Sequence, residues 1–544
     1  METVDADVII VGSGVAGSLT AYKLAQAGLS VIILESGPYI TSREKHVEKY
    51  RSSLLKTPES AYFDNPMSPR PTSDNPNGYY IQAGRETFTS TYERVVGGST
   101  WHWLGTALRL LPEDFKMYSK YQQAADWPLD YSELESFYSL AEHELKVSGN
   151  SQYDLGSPRK KDYFSSEIKQ SYLDTVLHKS LLGRKIDGIS LDVRATPQAR
   201  ASWCQGNASC IPICPIGAKY DATQHVDMAT KLGVKVIDKA VVHRLDVDAN
   251  QKVEAVRYLD WHGKEHKVFG RCYVLAANAI ETPKILLMSK SKYTPNGVAN
   301  SSDLVGRNLM DHPAYLSWAL TKEPLYPFRG PLSTSGIETT RHGDFRTKRA
   351  AFRIEIGNDG WWWPTGAPNT DSIELINRNS YGTELKLDLK NRIQHQLRLT
   401  GLVEQLPNKN NRVTLSQGHL DKLGLPRPEI SYQIGDYERL ALVKVKQFHD
   451  YIFDTLGVSE VHHHEGYVGS GHIMGTYKMG TDAQTSVVNA DSRSHDHQNL
   501  FLLGSGVFPS VGAANPSLTI AALALFAVES ILKDFGQIRT SKQV

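Results

Sequence analysis

The chain of 544 residues carries only four cysteines, a formal charge of only +1, and no uncharged apolar run near the ~18–20 residues of a membrane span. Each scarcity excludes something. Without a long apolar run no membrane-spanning helix is expected; Leu518–Val528, LTIAALALFAV, is too short and reads as a buried helix. With 60 basic and 59 acidic residues there is no charge excess to hold nucleic acid or an anionic membrane surface, so no nucleic-acid partner is expected. Low-complexity tracts and internal repeats are missing as well, which argues against a linker-rich or solenoid architecture. Met1–Asp7 is acidic and lacks the basic opening of an export signal, and there is no twin-arginine stretch. Read alone, the chain is expected to be cytoplasmic. Its length calls for two domains or one large elaborated one.

What is present makes the cysteine scarcity informative. Three of the four sit in ASWCQGNASCIPICPIGAKYD, as C-x5-C-x3-C-P at Cys204, Cys210 and Cys214. Three readings are open. A zinc site favours closely paired cysteines with a fourth Cys or His, and the next histidine, His225, lies well downstream. A disulfide plus a spare thiol requires an oxidising compartment. An iron–sulfur cluster is favoured, because thiolates hold such clusters and C-x3-C-P closes the bacterial ferredoxin run. One cysteine short of four fits a three-iron cluster, or a four-iron cluster with one non-cysteine ligand. Cys272 heads the apolar run CYVLAANAI and reads as a buried core thiol.

Residues 7–17, DVIIVGSGVAG, form a strand followed by Gly12-x-Gly14-x-x-Gly17, a helical pattern, a second strand SVIILE, and Glu35. That is the dinucleotide fingerprint in its full context. Gly12 permits the tight turn, Gly14 admits the pyrophosphate close to backbone, and Gly17 lets helix and strand pack. The helix N-terminus faces the phosphates, and Glu35 is placed to accept the ribose hydroxyls. The motif alone does not separate FAD from NAD. Nucleotide-like segments return at Lys235–Leu245, Tyr273–Leu287 and Phe501–Val528. A discontinuous FAD domain, assembled from both ends of the chain, accounts for that layout.

Five blocks now carry a family resemblance from end to end. They are the fingerprint, VVGGSTWHW at Val95–Trp103, VLAANAIETPKILL, VGRNLMDHP at Val305–Pro313, and the pair GHIMGTYKMGTD and GAANPSLTIAALAL. The chain resembles the glucose–methanol–choline (GMC) oxidoreductases. The cysteine segment narrows this to something similar to the large subunits of bacterial FAD-dependent sugar dehydrogenases. That resemblance implies an α/β fold with an added antiparallel sheet, that is, a Rossmann-like FAD-binding domain with a GMC-type substrate domain. It implies a 3Fe-4S cluster on Cys204, Cys210 and Cys214 that relays electrons from FAD to a cytochrome c-type or quinone-linked acceptor. It implies a small partner subunit that carries the export signal, and so a periplasmic, membrane-associated location reached through partners, against the cytoplasmic reading above. A pyranose-oxidase-like enzyme using oxygen, and a non-catalytic flavin and iron–sulfur electron carrier, are the alternatives.

His472 in GSGHIMG and Asn515 in GAANPSL match the family's catalytic positions. The chemistry fits the residue types: a neutral imidazole near pH 7 takes the hydroxyl proton, and a carboxamide orients the alcohol. Further family positions imply cofactor contacts from Gly97, Gly98, Ser99, Thr100, Val242 and Thr519, and raise a covalent link to FAD through His102. The loop GYVGSGHIMG lacks the two asparagines that precede the histidine in the glucose and fructose enzymes. This puts oxidation at C1 of glucose in doubt and favours another carbon, such as C3 of a glycoside or C2. Three features have bland readings beside chemical ones. His462–His464 do not suit one metal ion if they lie on a strand. Trp361–Trp363 are either a sugar platform or docking patch, or local packing. Asp311 and His312 read as a turn before Pro313.

The expected organisation is a discontinuous FAD domain over 1–56, 81–119, 231–313 and 489–544. A helical region with the cysteine loop covers 120–230, and a substrate domain with an antiparallel sheet covers 314–488. Alternation in YLSWALT and RIQHQLRLTGLVEQL predicts a sheet with one solvated face, followed by a helix over Tyr437–Leu456. The irregular stretch Pro58–Tyr80 reads as a lid or partner surface.

Overall fold

The structure is a computed structural model, and it describes residues 4–53 and 78–537. Most of the irregular stretch Pro58–Tyr80 lies outside the described residues. Two sheets organise the rest.

The first grows from strand β1, Ala6–Val11, whose residues are apolar on both faces. Val8 and Ile10 face one core, while Ile9 and Val11 face another. A strand buried on both sides belongs at the centre of a parallel sheet covered by helices. Accordingly β1 lies between β2, Val31–Leu34, and β3, Glu265–Leu275, parallel to both. Lys235–Ile237 extends the sheet beyond β2, and Leu500–Leu502 pairs in parallel with the end of β3. The first half of β3 continues into an antiparallel meander with Val253–Leu259 and Val241–Val247. Helix α1, Val15–Gln26, follows β1 directly. Gly12 makes this turn at φ +96°, and a Cβ there would meet the Ala276 carbonyl oxygen at 2.6 Å. A Cβ on Gly17 would come within 2.0 Å of the Gly12 carbonyl oxygen, so the closeness of helix and strand depends on that hydrogen.

The second sheet has six antiparallel strands. Its central members are β4, Ala314–Leu320, β5, Phe352–Gly357, and β6, Gln396–Val403. Ser459–His463 flanks β4, and Ser333–Ile337 then Val193–Ala195 flank β5. The alternation expected from sequence is present. Ile354, Ile356, Leu397, Leu399 and Val403 pack with Ala441, Val445, Phe448 and Ile452 of helix α2, Asp436–Leu456. The opposite face is polar, as predicted, but it is not solvated: Arg353, Glu355, Arg398 and Thr400 are all buried. It is covered by the rest of the molecule and borders the main cavity. The last helix, α3, Ser517–Asp534, is buried along most of its length and packs on α1 and on the helix Tyr131–Glu144. No helix among the described residues is long and apolar enough to cross a membrane.

Candidate active site

A cavity of about 500 Å³ runs from the carboxyl ends of the parallel strands to the polar face of the second sheet. Its nucleotide end is built from the fingerprint. Gly12 and Gly14, with Glu35, Val242 and the turn Ala276–Asn278, line it. A Cβ on Gly14 would meet nothing, which leaves open space beside the α1 N-terminus where pyrophosphate is expected. The Glu35 carboxylate accepts bonds from the Ser13 N–H at 3.0 Å, the Ser13 hydroxyl at 2.7 Å and the Gly37 N–H at 2.9 Å. Burial raises its pKa against those bonds. The Ser13 hydroxyl in turn accepts from the Gly97 N–H at 3.1 Å, which ties the fingerprint to the GGST loop.

Gly98, Ser99, Thr100 and His102 also line the cavity; Gly97 and Gly17 stand behind it as structural glycines. The Thr100 hydroxyl donates to the Gly97 carbonyl and accepts from the Ala222 N–H, so it shapes the loop rather than offering a free donor. The Ser99 hydroxyl accepts from the Glu93 N–H. Thr519 is buried on α3, and its hydroxyl meets that of Tyr138 at 2.8 Å. Asn515, Pro516 and Ser517 bring the positive end of α3 to the cavity wall instead.

His472 and Asn515 meet at that wall, with His472 Nε2 3.4 Å from Asn515 Nδ2. Two residues that sequence reasoning set aside complete the corner. His312 is buried, and its Nε2 lies 3.0 Å from the Gly512 carbonyl oxygen. A carbonyl only accepts, so His312 Nε2 carries the proton and Nδ1 is bare. That Nδ1 lies 2.8 Å from His472 Nδ1, so the shared proton sits on His472. His472 Nε2 is therefore left with its lone pair, next to Asn515. Asp311 fixes the pair through backbone: its Oδ1 accepts the His312 N–H at 2.7 Å and the His472 N–H at 3.0 Å, while Ser90 bonds its other oxygen. Gly469 makes room here, since a Cβ would sit 2.9 Å from Asp311 Oδ2. Arg353 Nη1 donates to Asn515 Oδ1 at 3.3 Å, which turns the amide so that its NH₂ faces His472.

Both imidazoles are neutral at pH 7. Burial holds His312 down to about 4. Burial, then His312 and Arg353, holds His472 well below its ordinary value. The arrangement offers one bare imidazole nitrogen and one oriented amide at the cavity wall, which is a proton acceptor with a positioning group.

The three segment cysteines line a second, much smaller cavity of about 20 Å³. All four cysteines are unpaired thiols, which overturns the disulfide reading. Among the described residues no three His, Cys, Asp or Glu side chains converge on a single metal ion. A cluster, with sulfides between its irons, spaces its thiolates more widely than one ion does, and three thiols around one cavity fit that demand. The two cavities share a wall. Ile211, between Cys210 and Cys214, lines the large one. Lys219 lines the small one, and its Nζ donates to the Trp101 and Trp103 carbonyls, each at 2.7 Å, and to Thr100 at 3.3 Å. Burial lowers its pKa to about 7, opposed by Cys210 and Asp221.

The remaining candidates separate. His462 stacks on Trp318, with ring centroids 5.7 Å apart, and His463 bonds Ser317 and Asp450, so the run holds no common metal. Trp361 is buried and donates to the Ala319 carbonyl; Trp362 and Trp363 line the main cavity. Cys272 is buried in the core.

Comparison with known proteins agrees with this geometry. Models of the GMC oxidoreductase family match residues 183–314 and 407–524, and a model of FAD dependent oxidoreductases matches 7–46. The chain is 35% identical to the fructose dehydrogenase large subunit of Gluconobacter japonicus, over 98% of this chain and 99% of that protein. It is 28% identical to paromamine 6'-oxidase of Streptomyces fradiae (97% and 91% covered) and 27% identical to 2-methyl-1,2-propanediol dehydrogenase of Mycolicibacterium austroafricanum (98% and 96%). The fold matches pyridoxine 4-oxidase from Mesorbium loti, with a TM-score of 0.66 at 17% identity over 98% of this chain and all of that one. A relative matched along its whole length, the shared fold and the fingerprint-lined cavity lead to one conclusion: the chain belongs to the GMC oxidoreductase family and is an FAD-dependent oxidoreductase.

Proposed function

We propose that this chain is the catalytic subunit of a dehydrogenase that oxidises a CH–OH group of a sugar, sugar acid or glycoside. The observation that carries the reading is the bare His472 Nε2 beside Asn515, facing a flavin-sized cavity. FAD bound there supplies a two-electron hydride acceptor. His472 Nε2 takes the hydroxyl proton while the C–H hydrogen leaves with its electron pair, and the C–O bond becomes C=O. Asn515 holds the same oxygen, so that the C–H points at the acceptor. His312 keeps His472 in the productive tautomer, and Arg353 keeps Asn515 in the productive flip. Four side chains arranged around one proton transfer, His472, Asn515, His312 and Arg353, speak against a mere electron carrier.

Cys204, Cys210 and Cys214 would hold a 3Fe-4S cluster, which supplies a one-electron exit. Support comes from the shared wall: Ile211 and Lys219 join the cysteine cavity to the flavin loop. The fructose dehydrogenase relative is a large subunit by name. In keeping with it, the partners are a small subunit that carries an export signal and a cytochrome c-type acceptor, with function on the periplasmic side of a membrane. His102 on the flavin loop is the position for a covalent link to FAD, read by whether flavin stays with acid-precipitated protein. Oxygen is the competing acceptor, because several of the relatives are oxidases by name. The test is anaerobic flavin reduction and steady-state turnover with a sugar panel. Turnover with a dye and without hydrogen peroxide is expected, and His472→Ala is expected to slow flavin reduction by about 10³-fold. Peroxide formation at the full rate would replace the dehydrogenase by an oxidase. In the oxidised enzyme a three-iron spin-resonance signal, lost in Cys214→Ser, is expected; no signal in enzyme purified with its partners would remove the cluster.

A further inference from the structure

The polar face of the second sheet has more acid at the cavity than proton transfer needs. Glu355, on β5, and Asp359, just beyond it, both line the cavity near Trp362 and Trp363. Neither carboxylate bonds His472 or Asn515; both of those residues have other partners. Each is held from behind by an arginine that is fully buried and does not line the cavity. Arg353 Nη1 lies 3.3 Å from Glu355 Oε2, and Arg398 Nε lies 2.8 Å from Asp359 Oδ1. Arg398 Nη2 also reaches Glu355 Oε1 at 3.6 Å. The four charges balance, so the wall has no net pull on a cation. What it shows to the cavity is nonetheless one-sided, since carboxylates that accept from arginines present acceptor oxygens. Beside them stands an aromatic surface. The Trp363 ring is half exposed, with the Arg398 guanidinium 5.2 Å from its centroid. Glycine at 357 allows this packing, because a Cβ there would lie 2.3 Å from Arg398 Nη2.

We infer that Glu355, Asp359, Trp362 and Trp363 form a subsite for a neutral polyhydroxylated ring, and that the subsite rejects rings bearing a carboxylate. This rests on the function proposed above and narrows its substrate class. The ring hydroxyls donate to Glu355 and Asp359 while its C–H face lies on the tryptophans. A substrate carboxylate brought to the same place would face two carboxylates, with little water to screen them. Arg353 links this subsite to the reaction, since the same Nη1 holds Glu355 and Asn515. Recognition of the ring and orientation of the reacting hydroxyl thus share one guanidinium.

The test uses the holoenzyme with three matched ligands: a methyl glucoside, the methyl glucuronide and the methyl glucosaminide. Binding is read as the perturbation of the flavin visible spectrum, and turnover with a dye acceptor. The neutral glucoside is expected to exceed the glucuronide in kcat/KM by about 10²-fold, because the buried acceptors have no donor from a carboxylate. Asp359→Asn is expected to raise KM for the glucoside about tenfold, and to shrink the discrimination against the glucuronide by a similar factor. Trp363→Ala, at a half-exposed position, provides a second variant that raises KM. Equal use of the glucuronide, a preference for the glucosaminide, or unchanged discrimination in Asp359→Asn would overturn the inference. A glucoside that binds with this selectivity but is not oxidised would overturn the proposed function and leave the subsite standing. A glucoside that neither binds nor reacts would overturn both.

Discussion

The two sheets carry chemistry in different places. In the parallel sheet the buried strand residues are mostly apolar and most cavity-lining groups sit just beyond a strand end, Val242 in the flanking meander excepted. Gly12 and Gly14 follow β1, Glu35 follows β2, Ala276–Asn278 follow β3, and Gly504 and Ser505 follow Leu500–Leu502. This is the general rule for open α/β sheets, whose ligands lie at the carboxyl ends of the strands. In the antiparallel sheet the strand residues themselves do the work. Arg353 and Glu355 point from the middle of β5 and Arg398 from β6, while their neighbours Ile354, Ile356, Leu397 and Leu399 hold the core. A loop site can be altered without disturbing its scaffold. A strand site cannot, because each functional side chain is also a buried structural one.

The sharpest break of the first kind is Gly12→Val. Its Cβ would collide with the Ala276 carbonyl at 2.6 Å, in a backbone conformation that a β-branched residue avoids. The variant is expected to purify without flavin, read from the absorbance at about 450 nm, because the cofactor phosphates lie at this turn. The antiparallel counterpart is Arg353→Met. Arg353 is fully buried between Glu338 and Glu355, with Nη2 2.8 Å from Glu338 Oε1. Removing one partner strands buried carboxylates, and a loss of about 3–5 kcal/mol in unfolding free energy is expected. If Gly12→Val unfolded the chain, or if Arg353→Met kept full stability in urea titration, the contrast between loop site and strand site would fail.

Sequence legibility follows the same divide. The fingerprint is legible because phosphate binding imposes residue type at fixed spacing, so Gly12, Gly14, Gly17 and Glu35 identify themselves. His472 and Asn515 were found through their glycine-flanked blocks. Asp311 and His312 were read as a turn, because their role depends on His472 and Gly512, 160 and 200 residues away. An acid–histidine pair in a family block far from the base was the available signal. The alternation of β4 and β6 is legible in the sequence, while its consequence is not. A period of two says that the two faces differ; it does not say whether bulk water or a cavity covers the polar one. Likewise WWW at Trp361–Trp363 could not say that Trp361 packs inward while the next two line the cavity.

The smallest expected effect, on acidification, tests the corner where loops and strands meet. A free imidazole is half protonated near pH 6.5. His472 is held well below that by burial, by His312 and by Arg353 from β5, and His312 is held to about 4. A lowered histidine pKa favours the neutral form, so the base remains competent as pH falls through 6.5. The rate of flavin reduction is therefore expected to stay nearly flat as the pH falls from about 8 through the ordinary imidazole range near 6.5. Stability moves in the same direction for the same reason. The unfolded chain takes up these protons near 6.5 and the folded chain does not, so the native state weakens progressively as pH drops from 6.5 toward 4. Stopped-flow reduction across this range reads the first effect, and urea titration at matched pH reads the second. A reduction rate that halves at pH 6.5 would mean that His472 is solvated in the working enzyme, and that the strand-borne Arg353 does not reach the loop-borne base.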